Sequence, residues 1–198
     1  EQGADCIVTL GGDGTNRVAA KGCGDVPLVA ISTGTNNVFP ANTEGTLAGI
    51  AAGALATEQV ERDDVCRRSK RIDIYVDGEK RDDALVDAAV SSQMFVGARA
   101  VWDTKTLHAM FLTRAEPASI GLSSIGSRLM PISIDEEIGL YIRLDGEPGE
   151  NATTVRAPIA PGMISDVKIL DWRVITPGEQ IEISLHPGTI ALDGEREI

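Results

Sequence analysis

The sequence predicts an α/β segment followed by an all-β region. Two short apolar runs, Ile7–Leu10 and Pro27–Ile31, each pass into a polar, glycine-bearing loop. They stand about twenty residues apart, the spacing of βαβ repeats in a parallel sheet. From Arg71 the period changes. Ile72, Ile74 and Val76 alternate with Asp73 and Tyr75, the period of two that marks a half-buried strand. Asp-Gly and Pro-Gly pairs separate several of the runs that follow, as hairpin turns do.

The first apolar run ends in Gly11-Gly12-Asp13-Gly14-Thr15, and Asn16 to Lys21 can begin a helix. A strand that turns through glycines into a helix is a place to hold phosphate. Glycine lets the backbone approach the anion without a Cβ in the way, and the helix presents free N–H groups. Asp13 repels phosphate, so its presence needs a reason. It can grip a metal, or take a proton from a hydroxyl beside the phosphate. The plain alternative is a tight turn with a solvated aspartate.

The second run, Pro27 to Ile31, enters Ser32-Thr33-Gly34-Thr35-Asn36-Asn37. In parallel sheets, loops at the carboxyl ends of neighbouring strands share one crevice, where ligands bind. Asp13, Thr15, Thr33, Thr35 and Asn36 are then expected to face one ligand.

GGDGT followed by STGTNN resembles the superfamily that joins NAD kinases to diacylglycerol and sphingosine-type lipid kinases. Within it the chain is most similar to the NAD-kinase-like proteins called acetoin catabolism protein X. The resemblance implies a Rossmann-like α/β domain, a C-terminal all-β, sandwich-like domain, and ATP-dependent phosphorylation of a hydroxyl in the cleft between them.

Asn42-Thr43-Glu44 offers a helix N-cap, and Leu47, Ile50, Ala51, Ala54 and Leu55 follow at helical spacing, as in a packing helix. Gln59 to Ser69 is polar and charged. With Arg67, Arg68, Lys70 and Arg71 it reads as the crossover between domains, 1–66 and 67–198. Strands are expected at Ala84–Ser92, Phe95–Val101, Gly139–Leu144, Thr153–Pro158, Asp166–Ile175 and Gln180–Leu185. One helix interrupts them, over Glu116–Gly126, with a proline at its start and small residues after it. The strand Ile7–Leu10 already bears the key loop, and a parallel sheet needs neighbours on both sides. An upstream part of the α/β domain is therefore expected outside this chain. The resemblance implies a trimmed C-terminal strand as well.

The resemblance also assigns roles. NAD kinases carry an Asn-Glu or Asn-Asp pair just after the crossover. Here Asp87 keeps the acid, while Val86 replaces the asparagine. A Thr-Gly-Ser-Thr-Ala-Tyr stretch of NAD kinases, which touches the dinucleotide, has its counterpart in Glu116–Gly126, without the tyrosine; Ile120 stands nearest its place. Ala191-Leu192-Asp193-Gly194-Glu195 matches the Asp-Gly-Glu of the lipid-kinase branch. The backbone of Gly11, Gly12 and Gly14, with Thr15, is thus expected to hold phosphate. Thr33, Gly34, Thr35, Asn36 and Asn37 are expected to bind nucleotide, and Asp87, Ser119 and Ser123 the acceptor. Asp13 is the first candidate for the catalytic carboxylate, with Asp193 and Glu195 as rivals. ATP and Mg²⁺ are the implied cofactors, and no protein ligand set for a metal is assigned.

The formal net charge of −12 argues against nucleic acid or an anionic membrane as partner. No run approaches the ~18 apolar residues of a membrane span. Cys6, Cys23 and Cys66 lack metal-type spacing and fit reduced, mostly structural thiols in a cytosol. His108 and His186 are isolated and read as structural. A cytoplasmic homo-oligomer acting on a small molecule is expected. Three functions stay open: a kinase of NAD or a related nucleotide, a kinase of a lipid or small polyol, and a catalytically silent nucleotide sensor.

Overall fold

The computed structural model describes residues 3–92, 104–184, 187–194 and 196–197. The chain divides into two compact units, Glu1–Ser69 and Lys70–Ile198.

The first unit runs β1 (Ile7–Gly11), α1 (Asp13–Cys23), β2 (Leu28–Ser32), α2 (Gly45–Ala56) and a single helical turn, α3 (Arg62–Val65). β1 and β2 pair in parallel, from Ile7 opposite Leu28 to Gly11 opposite Ser32. β-branched residues suit the pleat, and the helical crossover makes the parallel pairing reachable. α1 begins at Asp13, earlier than the helix-forming residues Asn16–Lys21 indicate. Gly12 is its extended N-cap, and the Gly12 carbonyl accepts the Asn16 N–H at 3.1 Å. Three of the five residues of the glycine motif, Asp13, Gly14 and Thr15, are therefore helix. Gly24 ends α1 at φ +57°, where a side chain is disfavoured.

Glu44 caps α2, accepting the N–H groups of Thr46 at 2.8 Å and Leu47 at 3.2 Å. These bonds hold its carboxyl below the usual range. α2 packs on β2 and β1 through Ala48, which is buried, while Leu47 and Ile50 are exposed. The expected packing face is thus turned by about one residue.

The second unit is antiparallel β with one α-helix among its described residues. It runs β3 (Ile72–Val76), β4 (Glu79–Ala84), β5 (Asp87–Ser91), a 3₁₀ turn at Thr104–Thr106, β6 (Leu107–Leu112), α4 (Leu122–Leu129), β7 (Gly139–Arg143), β8 (Thr153–Ala160), β9 (Met163–Ile169), β10 (Asp171–Ile175), β11 (Thr189–Leu192) and β12 (Arg196–Glu197). One six-stranded sheet has the order β10-β7-β6-β5-β11-β12, and β3–β4 and β8–β9 form separate hairpins. The β3–β4 turn is Asp77-Gly78, both at positive φ, as a two-residue hairpin demands.

Alternation builds the core. Leu140 and Ile142 of β7 point inward and are fully buried, as are Met110 and Leu112 of β6. They meet Ile125 of α4 and Val155, Ala157, Val167 and Ile169 of the β8–β9 hairpin in one cluster. Each fully buried aliphatic side chain contributes about 1.5–3 kcal/mol relative to leaving it in water. Gly126 makes the fit of α4 possible. A Cβ there would come within 2.2 Å of the Leu112 Cδ1 atom.

Four strand and helix bounds differ from expectation. Ala84–Ser92 is broken at Leu85–Val86, where backbone N–H groups turn to a side chain instead of a strand. Asp166–Ile175 is two strands, because Leu170 leaves the β8–β9 hairpin and bonds to the Arg143 carbonyl at 2.9 Å. Residues 180–184 are not strand. The helix begins at Leu122 after Gly121, which sits at φ +96°, and not at Pro117. The expected strand Phe95–Val101 lies outside the described residues, as does His186.

Lys70 opens the second unit. Its Nζ donates to the carbonyls of Ser133 at 3.2 Å, of Glu136, and of Ile138 at 2.9 Å. Burial, with Arg114 nearby, lowers the pKa of this ammonium. The Glu136 carboxylate accepts the Ser133 N–H at 2.7 Å, closing the same loop from its other side.

Candidate functional site

In the first unit the two glycine-bearing loops meet at the carboxyl ends of β1 and β2. Asn37 is the wedge between them. Its Nδ2 donates to the Ser32 hydroxyl at 2.9 Å. A Cβ on Gly12 would lie 2.7 Å from the Asn37 Oδ1 atom, and one on Gly34 would lie 3.0 Å from its Nδ2. Only glycine fits at Gly12 without moving Asn37. At Gly11, a Cβ would strike the Thr15 side chain at 2.5 Å. Gly11 and Gly12 are thus required by packing as well as by any ligand.

Asp13 joins the loops a second way. Its Oδ1 accepts the N–H of Phe39 at 2.7 Å, and both its oxygens accept that of Val38 at 3.1 Å. The residue is buried. An ionised carboxylate offers about four lone-pair sites, so holding these two N–H groups is compatible with contact to a ligand. The solvated-turn alternative for Asp13 does not describe this residue.

Asn16 is a part of the site that the motif alone does not reveal. It is fully buried, donates to the Gly12 carbonyl at 2.8 Å and accepts the Thr9 hydroxyl at 2.6 Å. It ties strand, turn and helix together. An asparagine inside the first turns of a helix, where it is a poor helix former, is the signal that could flag it.

Thr15, Thr33, Gly34, Thr35 and Asn36 are exposed. They stand beside the first turn of α1, whose N–H groups lack intrahelical partners as at every helix start. The arrangement offers backbone donors, three hydroxyls and a positive helix end to an anion. Among the described residues, no group of three or more His, Cys, Asp or Glu side chains could hold a metal ion. Mg²⁺ at nucleotide sites is commonly held by phosphates, waters and one or two carboxylates, a donor set compatible with these residues.

In the second unit Asp87 and Asp193 come together. Asp193 and Gly194 follow β11, both at positive φ, yet the Asp193 carboxylate is buried. Its Oδ1 accepts the N–H groups of Val86 at 2.8 Å, Leu85 at 3.1 Å and Asp87 at 3.3 Å, and its Oδ2 accepts that of Leu85 at 3.1 Å. The Asp193 N–H donates in return to the Asp87 carbonyl at 2.9 Å. Thr113 grips the same corner, its hydroxyl on the Leu85 carbonyl at 2.7 Å and its N–H on the Val86 carbonyl at 2.9 Å. Asp193 is therefore a turn residue and an anchor of the β4–β5 corner at once.

Ser119 and Ser123 lie at the start of α4. The Ser119 hydroxyl donates to the Glu116 carbonyl at 2.7 Å and lies 3.3 Å from the Ser123 hydroxyl, which in turn reaches the Arg114 carbonyl at 3.3 Å. Val86 is fully buried and Ile120 half-buried. Glu195 lies outside the described residues.

A parallel strand pair with a glycine turn, a helix start and a second polar loop is the front of a NAD-kinase-type chain. The ATP-NAD kinase N-terminal domain family matches residues 1–60. The acetoin catabolism protein X C-terminal domain family matches residues 70–198, and the chain belongs to the acetoin catabolism protein X family. The Acetoin catabolism protein X of Cupriavidus necator is 43% identical over 202 residues, which cover 100% of this chain and 56% of that protein. The chain thus spans about half the length of the curated relative it matches.

Proposed function

We propose that the chain is part of an ATP-dependent kinase that transfers a phosphoryl group to a hydroxyl of NAD or a related nucleotide. The observation that carries this reading is the junction of the two loops, with Asn37 wedged on Gly12 and Gly34 and Asp13 bonded to Val38 and Phe39. Phosphoryl transfer is chiefly positioning and charge stabilisation. A rigid cradle of backbone donors supplies the positioning.

In this reading residues 1–66 bind nucleotide and residues 67–198 hold the acceptor. The backbone of Gly11, Gly12 and Gly14, with Thr15, holds phosphate. Thr33, Gly34, Thr35 and Asn36 contact the nucleotide, with Asn37 bracing their loop. Asp13 orients or deprotonates the acceptor hydroxyl through Oδ2. Asp193 is the weaker candidate for that role, because its oxygens already serve three backbone N–H groups. Asp87, Ser119 and Ser123 bind the acceptor. Mg²⁺ supplies charge neutralisation on the phosphate oxygens when the nucleotide is bound. The setting is cytoplasmic and the assembly a homo-oligomer.

One observation favours a second reading, a lipid or small-polyol acceptor. Val86 and Ile120 are apolar where NAD kinases have an asparagine and a tyrosine, and Val86 is fully buried beside Asp87. A site that loses such partners loses discrimination for a polar acceptor, on the order of 10⁴-fold at the extreme.

The test is a panel of acceptors with labelled ATP and the full-length protein. The panel holds NAD, NADH, simple polyols and lipid alcohols, ranked by kcat/KM. NAD ahead by several orders of magnitude supports the first reading. A polyol or lipid alcohol ahead supports the second. Nucleotide binding with no transfer to any acceptor removes both and leaves a silent sensor.

A further inference from the structure

Thr9, Asn16 and the Gly12–Asp13 peptide form one connected line of hydrogen bonds. The Thr9 hydroxyl lies 2.6 Å from the Asn16 Oδ1 atom. The Asn16 Nδ2 atom donates to the Gly12 carbonyl at 2.8 Å, and the same carbonyl accepts the Asn16 N–H at 3.1 Å. A carbonyl has two lone pairs, so both are used. The bond to Gly12 decides which way the amide lies, because the reverse would set two oxygens against each other. Oδ1 therefore faces Thr9, and the hydroxyl is the donor. Asn16 is fully buried, inside a helix that asparagine does not favour. Burying an amide there has a desolvation cost that an apolar side chain would avoid.

The line has a direction. The C=O and N–H of a trans peptide point opposite ways. A Gly12 carbonyl held by Asn16 inside α1 therefore turns the Asp13 N–H outward, at the helix start. Hydrogen bonds in series polarise one another. Thr9 donates to Asn16, Asn16 donates to Gly12, and the peptide presents a strengthened donor at its far end. The Asp13 carboxylate is bonded to the N–H groups of Val38 and Phe39, which offset its charge.

We propose that Thr9 and Asn16 are positioning residues for phosphate, a relay that aims the Asp13 N–H at a phosphate group of the bound nucleotide. The inference rests on the nucleotide-site reading above and adds to it two residues that act through the backbone and not by touching the ligand. Thr9 is the more telling of the two. It lies in β1, outside both loops, and is only half-buried.

Thr9→Val removes the hydroxyl and keeps the shape, and Thr9→Ser keeps the hydroxyl. Both are made in the full-length protein and checked for a native melting profile, with Thr9→Ala in place of the valine variant should that not fold. The probes are ATP and inorganic pyrophosphate, with adenosine as the ligand that has no phosphate. Calorimetric titration is expected to show ATP and pyrophosphate bound at least about threefold more weakly by Thr9→Val. Adenosine is unaffected, and Thr9→Ser binds as the parent does. In turnover, the loss falls on KM for ATP more than on kcat. In isotope-labelled protein the Asp13 amide proton moves downfield when pyrophosphate is added, and moves less in Thr9→Val. A folded Thr9→Val protein with unchanged affinity for pyrophosphate, or with an equal loss for adenosine, overturns the relay and leaves the kinase reading standing. A parent that binds pyrophosphate with the Asp13 shift, yet transfers no phosphoryl group to any acceptor, supports the relay and removes the kinase reading. A parent that binds neither ATP nor pyrophosphate overturns both.

Discussion

Asp193 accepts the backbone N–H of Val86 at 2.8 Å across 107 residues of sequence. One carboxylate on a turn thereby sets the corner from which Asp87 projects. A charged acceptor bonded to several buried N–H groups is hard to remove, since each donor left without a partner is penalised.

Asp193→Ala is accordingly expected to destabilise the second unit by about 1–3 kcal/mol. Asp193→Asn, which keeps one oxygen, should lose less. Urea unfolding of the parent and both variants measures it. An unchanged midpoint in Asp193→Ala would show that the corner stands without this anchor.

Asp13→Asn keeps an acceptor for the Phe39 N–H but loses the basic oxygen. The fold should survive, and phosphoryl transfer should fall at least ~100-fold, the scale of a positioned acid–base group. Asp13→Ala should add a second effect, faster hydrogen exchange at Val38 and Phe39. Normal turnover in a folded Asp13→Asn protein would remove Asp13 from the chemistry and leave it the loop anchor.

Gly126→Ala places a methyl group within 2.2 Å of the Leu112 Cδ1 atom and 3.2 Å of the Ala115 Cβ atom. Overpacking at this point is expected to cost about 1–3 kcal/mol, read as a lower unfolding midpoint. Gly22→Ala serves as the control, because a methyl group there meets no atom within 4 Å.

Acid should weaken the first unit through Glu44. Its carboxyl is held below the usual range by the Thr46 and Leu47 N–H groups. The folded value lies beneath the unfolded one, so the stabilisation is present above the unfolded value, about 4.3, and is lost as pH falls through the folded one. Glu136, Asp145 and Glu179 have the same sign in the second unit. Melting curves from about pH 6 to about pH 3 should show a shallower acid loss for Glu44→Gln than for the parent. Parallel curves would show that the cap has no part in it.

Much of the architecture is legible in the sequence because it rests on local rules. Apolar runs mark β1 and β2, a period of two marks β3, and Asp77-Gly78 marks its hairpin. The meeting of GGDGT and STGTNN follows from the geometry of parallel strands. What is not legible rests on partners far away in sequence. Nothing near Asp13 announces that its carboxylate serves Val38 and Phe39. The break at Leu85–Val86 comes from Asp193, and the inward face of α2 at Ala48 comes from the strands it packs on. Asn37 reads as a nucleotide contact from its place in the loop, whereas its fit against two glycines is a matter of volumes that a one-dimensional pattern does not carry.

The Lys70 ammonium sits among three carbonyls much as an alkylammonium sits in a crown ether. Such a host selects by shape, since three N–H bonds fan out from one atom toward three oxygens. A guanidinium is a flat fork and cannot converge on that ring. Charge alone therefore does not define this position. Lys70→Arg, the substitution that looks mildest on paper, is the one whose donor geometry the peptide host does not match.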